Sequence, residues 1–128
     1  PIGWCAVAPR EDYPRLERSR ILKPVDEASV WSITCFFIAR THRGQGLSVA
    51  LLEGAVEHAA RQGARIVEGY PIEPNARQAD PFVWTGIASA YRAAGFVEVA
   101  RRSPTRPIMR RSISPPRPHR RAKPRRRR

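Results

Sequence analysis

Residues 30–70 constrain the fold more than any other part of the chain. They read VWSITCFFI, then ARTHRGQGLS, then a long apolar–polar repeat, then ARIVEGY. The first stretch is rich in β-branched and aromatic residues. Alternation sends Trp31, Ile33, Cys35 and Phe37 one way and Phe36 and Ile38 the other. Apolar groups on both faces predict a central strand covered on both sides. Residues 47–62 put Leu47, Leu51, Leu52, Ala55, Val56 and Ala59 on one stripe, with Glu53, Glu57, His58, Arg61 and Gln62 opposite. Gly63 follows where a glycine cap is wanted, so a helix is predicted. Residues 64–70 then make a second strand, ended by Pro71. Strand, helix and strand form a βαβ unit, which requires parallel strands and a right-handed crossover.

The flanks complete one α/β domain. Residues 2–8 (IGWCAVA) are apolar and closed by Pro9, which predicts a strand. Residues 9–29 are polar, with Pro14 and Pro24, and read mainly as a connection with room for a short helix within 13–22. Residues 71–84 form a Pro-rich polar loop. Residues 86–94 form a short helix, with Ile87, Ala90, Tyr91 and Ala94 at helical spacing and Gly95 as its stop. Phe96 is placed for the apolar contact that accompanies such a cap. Residues 96–102 and 106–110 are two further strands joined by Ser103-Pro104-Thr105, an antiparallel pair.

Charge divides the chain. The formal net charge is +13, from 24 basic and 11 acidic residues. Ten of the basic side chains lie in residues 110–128, which hold no acid, so residues 1–109 keep 14 against 11. The expected organisation is therefore a near-neutral domain over 1–110 and a disordered Arg/Pro-rich tail over 111–128. The tail suits sequence-blind, salt-sensitive contact with nucleic acid, but it has no aromatic residue to stack on a base. A basic nucleic-acid-binding protein is thus the rival reading. No apolar run approaches the roughly 20 residues of a membrane span, and no signal-peptide pattern is present. Cys5 and Cys35 form no Cys-x-x-Cys unit and read as buried free thiols of a reducing, cytoplasmic compartment.

The basic loop before the long helix carries the chemistry. Gly44 and Gly46 let successive backbone N–H groups converge at a helix N-terminus, and Arg40 and Arg43 add charge at the rim. Such a place attracts anions. The loop lacks the Lys-Ser/Thr of a nucleotide-binding P-loop and the G-x-G-x-x-G of a dinucleotide fold.

Arg43-Gly44-Gln45-Gly46-Leu47-Ser48 resembles the R/Q-x-x-G-x-G/A motif of the GNAT superfamily of N-acetyltransferases, with Ser48 in place of the usual Gly or Ala. Ala90-Tyr91-Arg92-Ala93-Ala94-Gly95-Phe96 resembles that family's Y-x-x-x-G-F segment, and the order of elements over 30–110 is similar too. The resemblance implies a mixed sheet whose central strands splay around a cofactor groove. Arg43, Gly44, Gln45, Gly46, Leu47 and Ser48 would cradle the diphosphate of acetyl-CoA. Phe36, Phe37 and Ile38 would run along its pantetheine arm. Tyr91 would protonate the departing thiolate. The acceptor would be a small-molecule or peptide amine, and no metal is implied.

Two departures accompany the match. Trp84 stands where the family usually has a cofactor-contacting Asn, for which Asn75 is the nearby substitute. The family's first strand and following helices have no counterpart before Pro1, so the domain reads as N-terminally incomplete, and a non-catalytic acyl-CoA-binding fragment is a further alternative. Glu68 and Glu73 are the carboxylates placed to act as a base or proton relay; otherwise each reads as an exposed charge. His42 and His58 read as solvated.

Overall fold

A computed structural model describes residues 3–38, 46–73 and 88–113. Strand β1 (Gly3–Pro9) leads through a 3₁₀ turn (Arg10–Asp12) and a short helix α1 (Pro14–Arg18) to β2 (Trp31–Ile38). Helix α2 (Leu47–Arg61), β3 (Ile66–Gly69), α3 (Ala88–Ala93), β4 (Val97–Arg101) and β5 (Pro107–Ser112) follow. The strands form one mixed sheet in the order β1-β2-β3-β5-β4. β2 and β3 are parallel, as the βαβ pattern requires, and β1–β2, β3–β5 and β4–β5 are antiparallel.

β2 departs from simple alternation. Ala6 pairs with Cys35 but Val7 pairs with Ile33, so Thr34 is an extra residue with no partner on β1. A bulge of this kind bends a strand and reverses the phase of its side chains. Ile33, Phe36 and Ile38 therefore enter the same core, together with Val67 and Met109. The predicted division, with Ile33 opposite Phe36 and Ile38, is corrected by this single inserted residue.

α2 covers that face. Leu52, Ala55, Val56 and Ala59 are buried, as the stripe predicts, while Leu47 and Leu51 pack at its edge. Burying Leu52 completely contributes about 1.5–3 kcal/mol. Gly63, at φ 94°, ends the helix, with the Ala64 N–H donating to Ala59 and the Gly63 N–H to Ala60. α3 ends the same way. Phe96 N–H donates to the Tyr91 carbonyl and Gly95 N–H to that of Arg92, with Gly95 at φ 88°. The rings of Tyr91 and Phe96 meet edge-on at 4.9 Å. The Y-x-x-x-G-F pattern is thus a Schellman stop with its apolar clasp, and it fixes where Tyr91 points.

The second face is covered by the segment read as a polar connection. Leu16 joins Tyr70 and Ile108 there, with Tyr13, Leu22 and Val25 at the margin. Ion pairs tie the same segment down. Arg10 donates to Glu68 at 2.6 Å and to the Leu22 carbonyl at 2.9 Å, and Arg110 grips Asp26 with both terminal nitrogens at 2.8 and 2.9 Å. Asp26 is consequently held below the usual carboxylate range, chiefly by that hydrogen bond from Arg110.

The last strand runs two residues past its predicted end. β5 continues to Ser112, with Arg111 opposite Val67 and Ser112 opposite Ile66. Arg111 donates to the Ala94 carbonyl at the end of α3, a site that favours a cation. Arg111, placed by the sequence reading at the start of the tail, thus belongs to the folded sheet, and residues 114–128 lie outside the described residues. Cys5 and Cys35 are free, as expected, but half-buried rather than buried. No described helix is long and apolar enough to cross a membrane.

Candidate active site

The two parallel strands pair only briefly. Trp31, Ser32 and Ile33 of β2 face Val67, Glu68 and Gly69 of β3, and the ladder stops at that third rung. β2 continues five residues further, to Ile38. The Thr34 bulge falls immediately after the last rung, so β2 bends where it parts from β3. The result is a splay that opens toward the start of α2.

At the far end of the splay stands Gly46, the N-cap of α2, in the left-handed conformation at φ 74°. It has no side chain with which to satisfy the helix's first N–H groups, and a Cβ built on it would meet nothing within 4 Å. The first turn contains no acid. Leu47 and Ser48 therefore begin a helix whose positive end is not neutralised from within. An apolar cleft of about 260 Å³ opens at this end, lined by Gly3, Ile38, Leu47, Ala50 and Leu51. Arg43, Gly44 and Gln45 of the motif, and Asn75, lie outside the described residues. Of the remaining cofactor candidates, Phe36 is buried in the core, Phe37 is half-buried and Ile38 reaches the cleft.

At the near end stands Tyr91. It is completely buried, tilted against Phe36 with ring centroids 6.5 Å apart. Its place depends on Gly69, the last residue of β3. A Cβ on Gly69 would lie 2.8 Å from both Cζ and the hydroxyl oxygen of Tyr91. Sequence reasoning missed Gly69, although a glycine inside a strand signals a close approach. Burial pushes the Tyr91 hydroxyl well above its ordinary range, nearby Cys5 and Tyr70 add to the shift, and Arg106 opposes it. The phenol therefore keeps its proton at neutral pH.

Glu68 is not the exposed charge expected. It is wholly buried on the second face, where Oε1 accepts from Arg10 at 2.6 Å and from the Tyr70 hydroxyl at 2.7 Å, and Oε2 accepts from Arg110 at 2.6 Å. Burial is tolerated because two guanidiniums and a hydroxyl replace water around it. Ser32 extends the chain through Tyr70 at 2.8 Å. Glu73 is the more open carboxylate. It pairs with Arg92 at 2.8 Å and Arg101 at 2.5 Å, and those hydrogen bonds hold it below the usual range. His58 is exposed, with its ring edge toward Trp31. Among the described residues no cluster of three or more potential metal ligands exists.

The model of the acetyltransferase (GNAT) family matches residues 1–96, three quarters of the sequence. The chain belongs to the GNAT acetyltransferase family. The match begins upstream of the region that carries the sequence resemblance, so β1 is part of the family unit. It ends at Phe96, where the Schellman stop closes α3. No curated protein and no solved structure significantly matches the chain.

Proposed function

We propose that the protein is an acetyl-CoA-dependent N-acetyltransferase, in which a primary amine attacks the acetyl group directly in a ternary complex. The observation that carries this reading is the β2–β3 ladder ending at a bulge, with Tyr91 seated against Gly69 at the point of divergence. The donor set fits the co-substrate. The uncapped start of α2 suits a diphosphate, and the bulged strand and apolar cleft beside it suit a chain of low charge. Acetyl-CoA supplies an already activated acyl group, so the protein's main task is alignment, which is worth roughly 7–11 kcal/mol.

The residues divide that task. Arg43, Gly44, Gln45, Gly46, Leu47 and Ser48 hold the diphosphate, Phe36, Phe37 and Ile38 line the path inward, and Asn75 is the substitute polar contact. Tyr91 holds a proton at its hydroxyl, ready for the leaving thiolate. Glu68 has both oxygens engaged, so its contribution is to fix Arg10 and Tyr70 beneath the end of β3. A base role would require it to exchange one of those partners for the acceptor's proton.

Titration calorimetry with acetyl-CoA and with CoA tests the core of this reading. Silence of both at millimolar concentration sinks it. Arg43→Glu is expected to abolish acetyl-CoA binding while leaving the melting temperature unchanged, because it reverses charge at the rim of the cradle. Tyr91→Phe is expected to bind acetyl-CoA normally and to lower kcat by about 10²–10⁴-fold, the usual worth of a positioned proton donor. A phenylalanine variant as fast as the parent removes the acid role.

A further inference from the structure

Among the described residues, one cation near the crotch of the splay has no acid paired with it. Among the described residues the other arginines drawn into the body have acids or carbonyls at their guanidinium ends; the Arg10 Nε also lacks an acceptor, but its terminal nitrogens are held by Glu68, Tyr70 and the Leu22 carbonyl. Arg10 and Arg110 share Glu68, Arg101 pairs with Glu73 and Glu98, and Arg111 caps the end of α3. Arg106, in the turn between β4 and β5, makes a single hydrogen bond among the described residues, from Nη2 to the Tyr70 carbonyl at 3.3 Å. Its Nε–H is buried and has no acceptor. A buried donor left unsatisfied costs about 1–3 kcal/mol, so a native group in this state invites a ligand. Its position is fixed by neighbouring backbone. Tyr70, which it contacts, directly follows Gly69, against which the Tyr91 hydroxyl is packed. Arg106 and Tyr91 also lie within electrostatic reach of each other.

Resting on the transferase reading, we infer that Arg106 receives an oxyanion carried by the acceptor, so that the amine substrate also bears a carboxylate or a phosphate. The co-substrate's diphosphate does not reach this place. The five residues of β2 beyond the last β3 rung separate it from the start of α2 by about 17 Å at strand rise. The acceptor's own charge points the same way. A primary amine arrives as an ammonium ion, and an uncompensated guanidinium repels it. An anionic group on the same molecule turns that repulsion into a second point of attachment, which orients the amine toward the acyl carbon. Polyamines and other purely cationic acceptors are disfavoured by the same field.

The test uses the full chain and has a binding readout. CoA affinity is measured first by calorimetry. With CoA saturating, N-acetylamino acids, their carboxamides and N-acetylaminoethyl phosphate are then titrated as product analogues. The expected result is that an oxyanion-bearing analogue binds at least about tenfold tighter than the matching amide, in keeping with a charged hydrogen bond. Preference for the carboxylate or the phosphate arm identifies the source of the oxyanion. Arg106→Met should equalise acid and amide without changing CoA affinity, and Arg106→Lys should retain part of the preference. Equal affinity for acid and amide in the parent overturns the inference even if Arg106→Met does not fold. So does a preference that survives in Arg106→Met, or failure of all the analogues to bind. Absence of CoA binding by the parent overturns the transferase reading and this inference with it. Normal CoA binding without oxyanion preference overturns this inference alone.

Discussion

Glu68→Ala is expected to lower the free energy of unfolding by about 3–5 kcal/mol, the cost of stripping a buried ion pair of one partner. The guanidiniums of Arg10 and Arg110 would both lose their shared carboxylate, and the Tyr70 hydroxyl would lose its acceptor. Domains of this size are stable by only about 5–15 kcal/mol, so the variant should populate the unfolded state measurably at room temperature. Urea unfolding of parent and variant reads the effect directly. A shift corresponding to less than about 1 kcal/mol would mean that the network is wet and weakly coupled. Glu68→Gln separates structure from chemistry. If Glu68 only positions its neighbours, the folded fraction of this variant should show the parental pH profile of kcat/KM. A change in the shape of that profile would assign it proton transfer instead.

The second large effect is expected from Gly69→Ala, a change of one methyl group. The new Cβ would lie 2.8 Å from Cζ and the hydroxyl oxygen of Tyr91, far inside van der Waals contact. The ring cannot retreat easily, because Phe96 clasps it from the far side and the Schellman stop fixes its backbone. Overpacking of this kind typically costs about 1–3 kcal/mol. Displacement of the hydroxyl should also remove the benefit of the positioned proton, about 10²–10⁴-fold in kcat. Acetyl-CoA affinity, set mainly at the start of α2, should change little. The double variant Gly69→Ala/Tyr91→Phe discriminates the causes. If Gly69 acts through the tyrosine hydroxyl, adding the alanine to the phenylalanine variant should cost stability but little further rate. A multiplicative loss of rate would place the glycine's role elsewhere.

The legible parts of this fold are those written locally. The α2 stripe and the glycines at 63 and 95 are short-range signals, and they located both helix ends to within a residue or two. The parallel pairing of β2 with β3 followed from the crossover between them. The bulge was not legible. Thr34 is a good strand residue, and nothing in its identity marks it as surplus; only the partner strand reveals the slip. Glu68 was misread for a related reason. A carboxylate in a strand is read as solvated unless cations are near, and its cations come from 58 and 42 residues away in the chain. The covering role of residues 10–30 was hidden likewise, since Leu16 is one apolar residue in a charged segment and the anchors are distant. Arg106 gave no signal of its own, because its distinction is the partner it lacks.

The surplus residue in β2 sets the phase of the strand's later half by counting rather than by chemistry. Were Thr34 paired in step with β1 instead of bulged, Cys35 and Phe37 would share the face of Ile33, and Phe36 and Ile38 would turn out of the core. Changing phase this way needs no special side chain at that position. It therefore leaves the neighbouring side chains open to variation for ligand fit, because the change of phase is carried by the backbone.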